Sequence, residues 1–227
     1  MRHELFNENF NEFHTLKHET HFFFRNLLYP KMSNNYNHLS EALKIELAAT
    51  AQKIVANGHG ILAADESNGT MGKRLANVGL ENEEEHRRFY RNFMFQSEGM
   101  DKYIGGVILF DETVYQKDNE GVKLMEHFKK RGIVAGIKVD KGVVPLPCGN
   151  KNGETITQGL DGLNERCAEY KKQGCDFAKW RNVIRIGNGM PSELAIHQSA
   201  EVLARYRVVL QKCHKKVRKS LKMAKNG

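Results

Sequence analysis

No apolar run in this chain approaches the ~18 residues that a membrane-spanning helix needs. The longest candidates, His21 to Phe24 and Ile104 to Phe110, are far too short. Residues 1–31 carry four glutamates and lack a basic start, an apolar stretch and a small-residue cleavage site, so no secretory signal is expected. A soluble, cytoplasmic protein follows as the expectation. Cysteine is scarce: Cys148, Cys167, Cys175 and Cys213 form no CxxC pair and no zinc-ligand spacing. They read as reduced thiols rather than a disulfide framework. Phosphate-loop signatures are missing as well. Gly72 and Lys73 would need glycine at position 67 to complete a GxxxxGK loop, but Ser67 stands there. Gly105 and Gly106 open a strand instead of a strand-to-helix turn, so a dinucleotide fingerprint is absent too. Neither a metal nor a cofactor is expected.

Acid is missing from one segment. Arg207 to Gly227 holds Arg207, Lys212, Lys215, Lys216, Arg218, Lys219, Lys222 and Lys225 and not one Asp or Glu, a local charge of +8. The whole chain of 227 residues has Lys+Arg 35 against Asp+Glu 27, which is also +8. Residues 1–31 and 32–206 are therefore each neutral by count, and the basic character belongs to the last segment. With 40% hydrophobic and 27% charged residues the balance is that of a globular protein. Three parts are expected: an extension over 1–31, an ordered body over 32–206, and a basic, possible helix over 207–227. His14, His18 and His21 would share one face of a helix and could hold a metal; the plainer reading is a flexible extension with chance histidines.

The body alternates between two patterns. A helix is predicted after Ser40, with Leu43, Leu47, Ala51, Ile54 and Val55 on one stripe and Gly58 at its end. A buried strand follows over 60–64 and stops at a polar loop, and Met71, Leu75 and Val78 predict a helix closed by Gly79. Asn82 with Glu85 has the spacing of a capping box for the next helix. Further strands are predicted over 104–110, 132–139 and 176–184, with helices near 121–130, 160–173 and from Ser192. Near-continuous apolar strands separated by helices are the mark of parallel βα units in an α/β protein. Four such units are present.

Charges interrupt those strands. Side chains alternate across a strand, so Lys138 and Asp140 share one face, as do Lys179 and Arg181. A buried charge must be paired or face a solvated cavity, and the carboxyl ends of parallel strands are where a barrel of such units puts its active site. With Asp65 ending the first strand and Ser67 and Thr70 in its loop, a polar centre rich in cations is expected. Lysine beside a forked arginine and hydroxyl donors suits an anion, phosphate above all. The competing reading is a self-satisfied network in which Lys138, Asp140 and Lys141 neutralise one another.

The runs GILAADES (60–67), RRFYR (87–91), IGGVILF (104–110), GIKVDKGVVPL (136–146), TQGLDGL (157–163) and DFAKWR (176–181) closely resemble class I fructose-bisphosphate aldolases, in colinear order from about Leu39 to Tyr206. The resemblance implies a TIM (βα)8 barrel and a lyase of glycolysis and gluconeogenesis. Such enzymes cleave fructose 1,6-bisphosphate reversibly to dihydroxyacetone phosphate and glyceraldehyde 3-phosphate through a lysine Schiff base, without metal or cofactor, commonly as homotetramers. By motif, Asp65 matches the acid that helps deprotonate the substrate hydroxyl, and Lys179 the lysine that assists bond cleavage. Lys138, Arg181, Ser67 and Arg74 match substrate- and phosphate-binding positions, Thr70 replaces a serine, and Lys73 is a neighbour of that set.

The resemblance stops after LARY (203–206). There the family continues into a fifth strand with paired glutamates, and later strands carry the Schiff-base lysine; no lysine here matches that motif. A barrel of eight units takes about 250 residues, so the expectation is an incomplete barrel of about four units, with open apolar edges on its first and fourth strands and no cleavage activity alone. The alternative is a non-catalytic binding protein in which Leu210, Val217 and Leu221, among the basic residues, form an amphipathic helix that meets nucleic acid, calmodulin or acidic lipid.

Overall fold

A computed structural model describes residues 40–147 and 153–223, with side chains as far as residue 211. The extension over 1–31 with its three histidines, Cys148, and the side chains of Cys213, Val217 and Leu221 lie outside the described residues.

The chain begins with α1 (Glu41–Ile54), whose acidic first turn and basic last turn complement the helix dipole. Only Leu43 and Ile54 of the expected stripe are fully buried. β1 (Gly60–Ala64) leads into α2 (Asn68–Ala76), capped by Ser67, whose Oγ accepts the Thr70 amide at 3.4 Å. α3 (Glu84–Phe95) has Glu83 at its N-cap and no side-chain cap. The expected Asn82–Glu85 capping box is therefore not formed. Asn82 is used elsewhere: its Nδ2 donates to the Asn68 carbonyl at 3.1 Å, and its Oδ1 accepts from Arg87 at 3.0 Å, tying α3 to the start of α2.

β2 (Ile104–Leu109) is followed by a short α4 (Asp111–Tyr115) that periodicity did not reveal, then α5 (Leu124–Lys130) and β3 (Val134–Lys138). After β3 comes an antiparallel pair that no predicted strand covered, β4 (Val143–Pro145) with β5 (Thr155–Thr157). α6 (Leu163–Gln173) runs between Gly162 and Gly174, both left-handed. β6 (Phe177–Lys179) is shorter than the predicted 176–184. After Trp180 the backbone is taken by side chains: Thr157 Oγ1 donates to the Arg181 carbonyl at 2.8 Å and Asp140 accepts the Arg181 amide at 3.3 Å. α7 (Glu193–Met223) continues through Tyr206 and Arg207 without a break.

β1, β2, β3 and β6 form one parallel sheet in that order, with Ala64 opposite Leu109, Ile108 opposite Gly136 and Lys138 opposite Lys179. Among the described residues β1 and β6 each pair on one side only. The helices cover the outer face, where Phe95 and Phe128 meet edge to face at 4.6 Å among Val107, Leu109, Ile137 and Leu163. α7 docks on β6 through Tyr206, which packs on Trp180 at 5.1 Å and donates its hydroxyl to the Ala178 carbonyl at 2.9 Å. Burial pushes the Cys175 thiol up to about 12, so it stays protonated and inert at neutral pH.

Two glycines have a packing reason. A Cβ on Gly105 would sit 2.3 Å from the Ile54 carbonyl oxygen, so the bare backbone lets the carboxyl end of α1 lie against β2. A Cβ on Gly136 would fall 2.3–2.5 Å from the ring of Phe177, which occupies the space on the neighbouring strand.

Candidate functional site

The register that sets Lys138 opposite Lys179 sends both ammonium groups to the inner face at the carboxyl ends of β3 and β6. Lys179 Nζ donates to Asp65 Oδ2 at 2.6 Å, across the sheet from the end of β1. Lys138 Nζ reaches Asp140 Oδ1 at 2.8 Å and the Asp140 carbonyl at 2.9 Å. The buried Asp140 carboxylate also accepts the Gly142 and Arg181 amides, at 3.2 and 3.3 Å. Burial alone would raise this carboxyl. The hydrogen bond and charge of Lys138, with the two amides, instead hold it below the ordinary carboxylate range.

On the opposite wall Glu66 binds both Arg74 and the buried Arg91, and Arg91 also donates to the Glu66 carbonyl at 2.9 Å. Burial opposes the Glu66 charge, but the bond from Arg91, its own amide, and the charges of Arg91 and Arg74 keep it below its usual value. Arg74 further donates to the Tyr90 hydroxyl at 3.2 Å. Ser67 and Thr70 place their hydroxyls 3.1 Å apart at the start of α2.

All of Asp65, Ser67, Thr70, Arg74, Lys138, Lys179 and Arg181 line one cleft of about 1090 Å³; Lys73 does not. The expectation of a cation-rich centre needs correction, because six cationic and six carboxylate side chains line that cleft. Three of the acids, Asp111, Glu165 and Glu169, come from α4 and α6 and were missed along with Glu66, Arg166 and Tyr170. Tyr170 donates to Asp111 at 2.6 Å, and its hydroxyl is pushed far above its ordinary value by burial first and by that bond second. Arg166 holds the carbonyls of Val139 at 3.0 Å and Gly159 at 2.5 Å, fixing the end of β3. The two readings of the lysines also resolve in part. Lys138 and Asp140 do pair, Lys141 takes no part in that pair, and the exposed Arg181 guanidinium has no polar partner among the described residues. An anion entering the cleft thus finds one open fork and two lysines whose carboxylate partners it must displace or bridge.

A family model for class I fructose-bisphosphate aldolase matches residues 46–215. The chain belongs to the class I fructose-bisphosphate aldolase family. It is 59% identical over 181 residues to fructose-bisphosphate aldolase C of Carassius auratus and 56% identical over 181 residues to that of Homo sapiens. Each alignment takes in 79% of this chain and 49% of the relative. The chain thus spans about half the length of the curated aldolases it matches. Its fold resembles the fructose-bisphosphate aldolase of Plasmodium falciparum, solved in a ternary complex with TRAP and a small-molecule inhibitor. There the TM-score is 0.76 at 48% identity, with coverage of 81% of this chain and 53% of that one.

This places the parallel sheet within the TIM-barrel fold of a lyase family of glycolysis. The aldolase match runs past Tyr206, where the recognisable motifs end, and into the unbroken helix α7. No helix among the described residues is long and apolar enough to cross a membrane.

Proposed function

We propose that the cleft binds a sugar phosphate of the fructose 1,6-bisphosphate class, as the aldolase family does, and that the chain as given does not cleave it. One observation carries the reading. Seven residues from three separate segments, 65–74, 138 and 179–181, converge on one cleft, with two lysines in register and an arginine left open to an anion. Arg181 and Lys138 take phosphate or the sugar oxygens, with Ser67, Thr70 and Arg74 at the opposite wall. The Asp65 carboxylate, which accepts from Lys179 at 2.6 Å, takes the proton of the substrate hydroxyl at the carbon–carbon bond being broken. Lys179 then offsets the charge that develops. Cleavage by this route also needs an amine to form an iminium electron sink. Lys138 and Lys179 are each held by a carboxylate, and no lysine of the sequence matches the family's Schiff-base motif.

The division into 1–31, 32–206 and 207–227 is part of the same proposal. The last boundary would lie inside a single helix, α7. Calorimetry with fructose 1,6-bisphosphate tests the binding claim, with saturable binding expected and a loss of about tenfold to a hundredfold in Arg181→Met. Incubation with dihydroxyacetone phosphate and borohydride, followed by mass measurement, tests the rest. An unchanged mass is expected, and a stable adduct on any lysine overturns the claim of inactivity.

A second reading has one observation in its favour: α7 extends to Met223, and residues 207–223 contain seven basic residues and no acid. Salt-sensitive RNA binding that disappears on deletion of 207–227 would support a binding role for it.

A further inference from the structure

We propose that Asn57 and Gly58 form a self-modifying site, at which the Gly58 nitrogen displaces ammonia from the Asn57 side chain, and that the His59 ring is the latch that holds this reaction back. The pair sits in the turn between α1 and β1. The His59 amide donates to the Ala56 carbonyl at 2.8 Å, and Gly58 takes a φ of +80° at the third position, which together define a type II turn. Asn57 and Gly58 are its two central residues, and both are exposed. A Cβ built on Gly58 would meet nothing within 4 Å. Among the described residues the Gly58 amide has no hydrogen-bond acceptor, so its nitrogen is open to react.

The chemistry needs only these two residues and water. The Gly58 nitrogen loses its proton to solvent and bonds to Asn57 Cγ, the Cγ–Nδ2 bond breaks, and the departing nitrogen regains a proton as ammonia. Water then opens the five-membered imide at either carbonyl. One product is aspartate; the other is isoaspartate, whose main chain runs through the side-chain methylene. Closing the ring brings the Gly58 nitrogen level with the Asn57 Cβ, so ψ of Asn57 must take the opposite sign to the roughly +120° of a type II turn. Glycine offers that swing little steric resistance, because without a Cβ it accepts either hand of φ. The barrier is therefore set by whatever holds the central peptide plane of the turn.

His59 holds that plane. Its Nδ1 lies 3.1 Å from the Asn57 carbonyl oxygen, which belongs to the same peptide, and its Nε2 lies 3.2 Å from the Asp101 carbonyl in the helical turn Met100–Lys102. A carbonyl can only accept, so a ring nitrogen that carries a proton donates along its contact. Swinging the peptide carries the Asn57 oxygen away from the ring and breaks the Nδ1 contact. Two other Asn-Gly pairs among the described residues are held differently. Asn68 and Gly69 open α2, where the helix and the 3.1 Å bond from Asn82 to the Asn68 carbonyl fix the peptide. Asn188 and Gly189 form a turn with both residues left-handed, at φ 25° and 76°, closed by the Met190 amide on the Gly187 carbonyl at 2.6 Å. Conversion at Asn57 adds a carboxylate and, as isoaspartate, one main-chain atom between α1 and β1, near the close packing of Ile54 on Gly105 and away from the cleft.

The test is peptide mapping of the full chain after storage at neutral pH, with the parent beside His59→Leu. The readouts are the amide-to-acid mass gain and the isoaspartate fraction at Asn57, with Asn188 as the internal control. Asn57 is expected to convert about fivefold faster in His59→Leu, the rate equivalent of one hydrogen bond lost, while Asn188 converts at the parent's rate. In urea the two proteins are expected to convert Asn57 at one common rate. Equal or slower conversion of Asn57 in the variant, an equal acceleration at Asn188, or a difference that survives in urea would each overturn the proposal. The first outcome would make the ring a bystander or a promoter, the second would show general loosening, and the third would reduce the effect to local sequence.

Discussion

The two ends of the same four strands are built on opposite terms. At the amino end, β2 meets α1 backbone to backbone: Gly105 leaves no space for even a methyl group beneath the Ile54 carbonyl. At the carboxyl end the side chains are long, charged and spaced around a cleft, and each lysine is steadied by a carboxylate that a ligand can displace. A strand can thus be tight and unforgiving at one end and chemically open at the other. Stability and ligand binding are expected to separate along the strand direction.

The largest effect should come from the tight end. Gly105→Val places a branched side chain where an added Cβ already meets the Ile54 oxygen at 2.3 Å. It is expected to lose about 3 kcal/mol or more in thermal or urea unfolding, while the folded fraction keeps its affinity for fructose 1,6-bisphosphate. A parallel loss of affinity would mean that the two ends are coupled.

Glu66→Gln probes the exception within the open end. It leaves the buried Arg91 without its carboxylate, so about 3 kcal/mol of stability should be lost although the residue lines the cleft. Arg91→Met added to it should restore part of that loss, and a failure to do so would show that Glu66 serves the cleft alone.

The smallest effect concerns acid. Because Lys138 holds the folded Asp140 carboxyl below its ordinary value, ionised Asp140 stabilises the fold above the unfolded pKa of about 4. That contribution disappears as the pH falls through the lower folded value. Asp140→Asn should therefore flatten the acid limb of a stability profile below about pH 4 and leave its slope near neutrality unchanged. An identical acid limb in the variant would remove Asp140 from the account.

Much of this arrangement could be read directly from the residues. The near-continuous apolar runs in 104–110 and 132–139 gave buried strands because both faces of a parallel strand are covered, and the pairs Lys138/Asp140 and Lys179/Arg181 followed from period two alone. What escaped was tertiary. α4 has five residues, too few for a helical period to register. β6 was overextended because the hydrogen-bonding partners of Arg181 are the side chains of Thr157 and Asp140, from other elements. The Asn82–Glu85 spacing carried no information about Asn68 and Arg87, which take the Asn82 side chain. The balance of charge in the cleft was hidden for a similar reason: Asp111, Glu165 and Glu169 sit on helices, far from the strand motifs that drew attention to the lysines.

Gly136 and Phe177 govern something that the charges do not, which is how an aromatic ring is housed between two strands. Their positions lie opposite one another in the register, two residues before Lys138 and Lys179. Any side chain at 136 would collide with the ring. Phe177 does not line the charged cleft; it lines a separate apolar pocket with Leu43, Ile54 and Tyr206. The missing Cβ on one strand is therefore what gives the ring of the next its berth, and the strands that present the lysines are seated by a pair of residues that touches none of the charged groups.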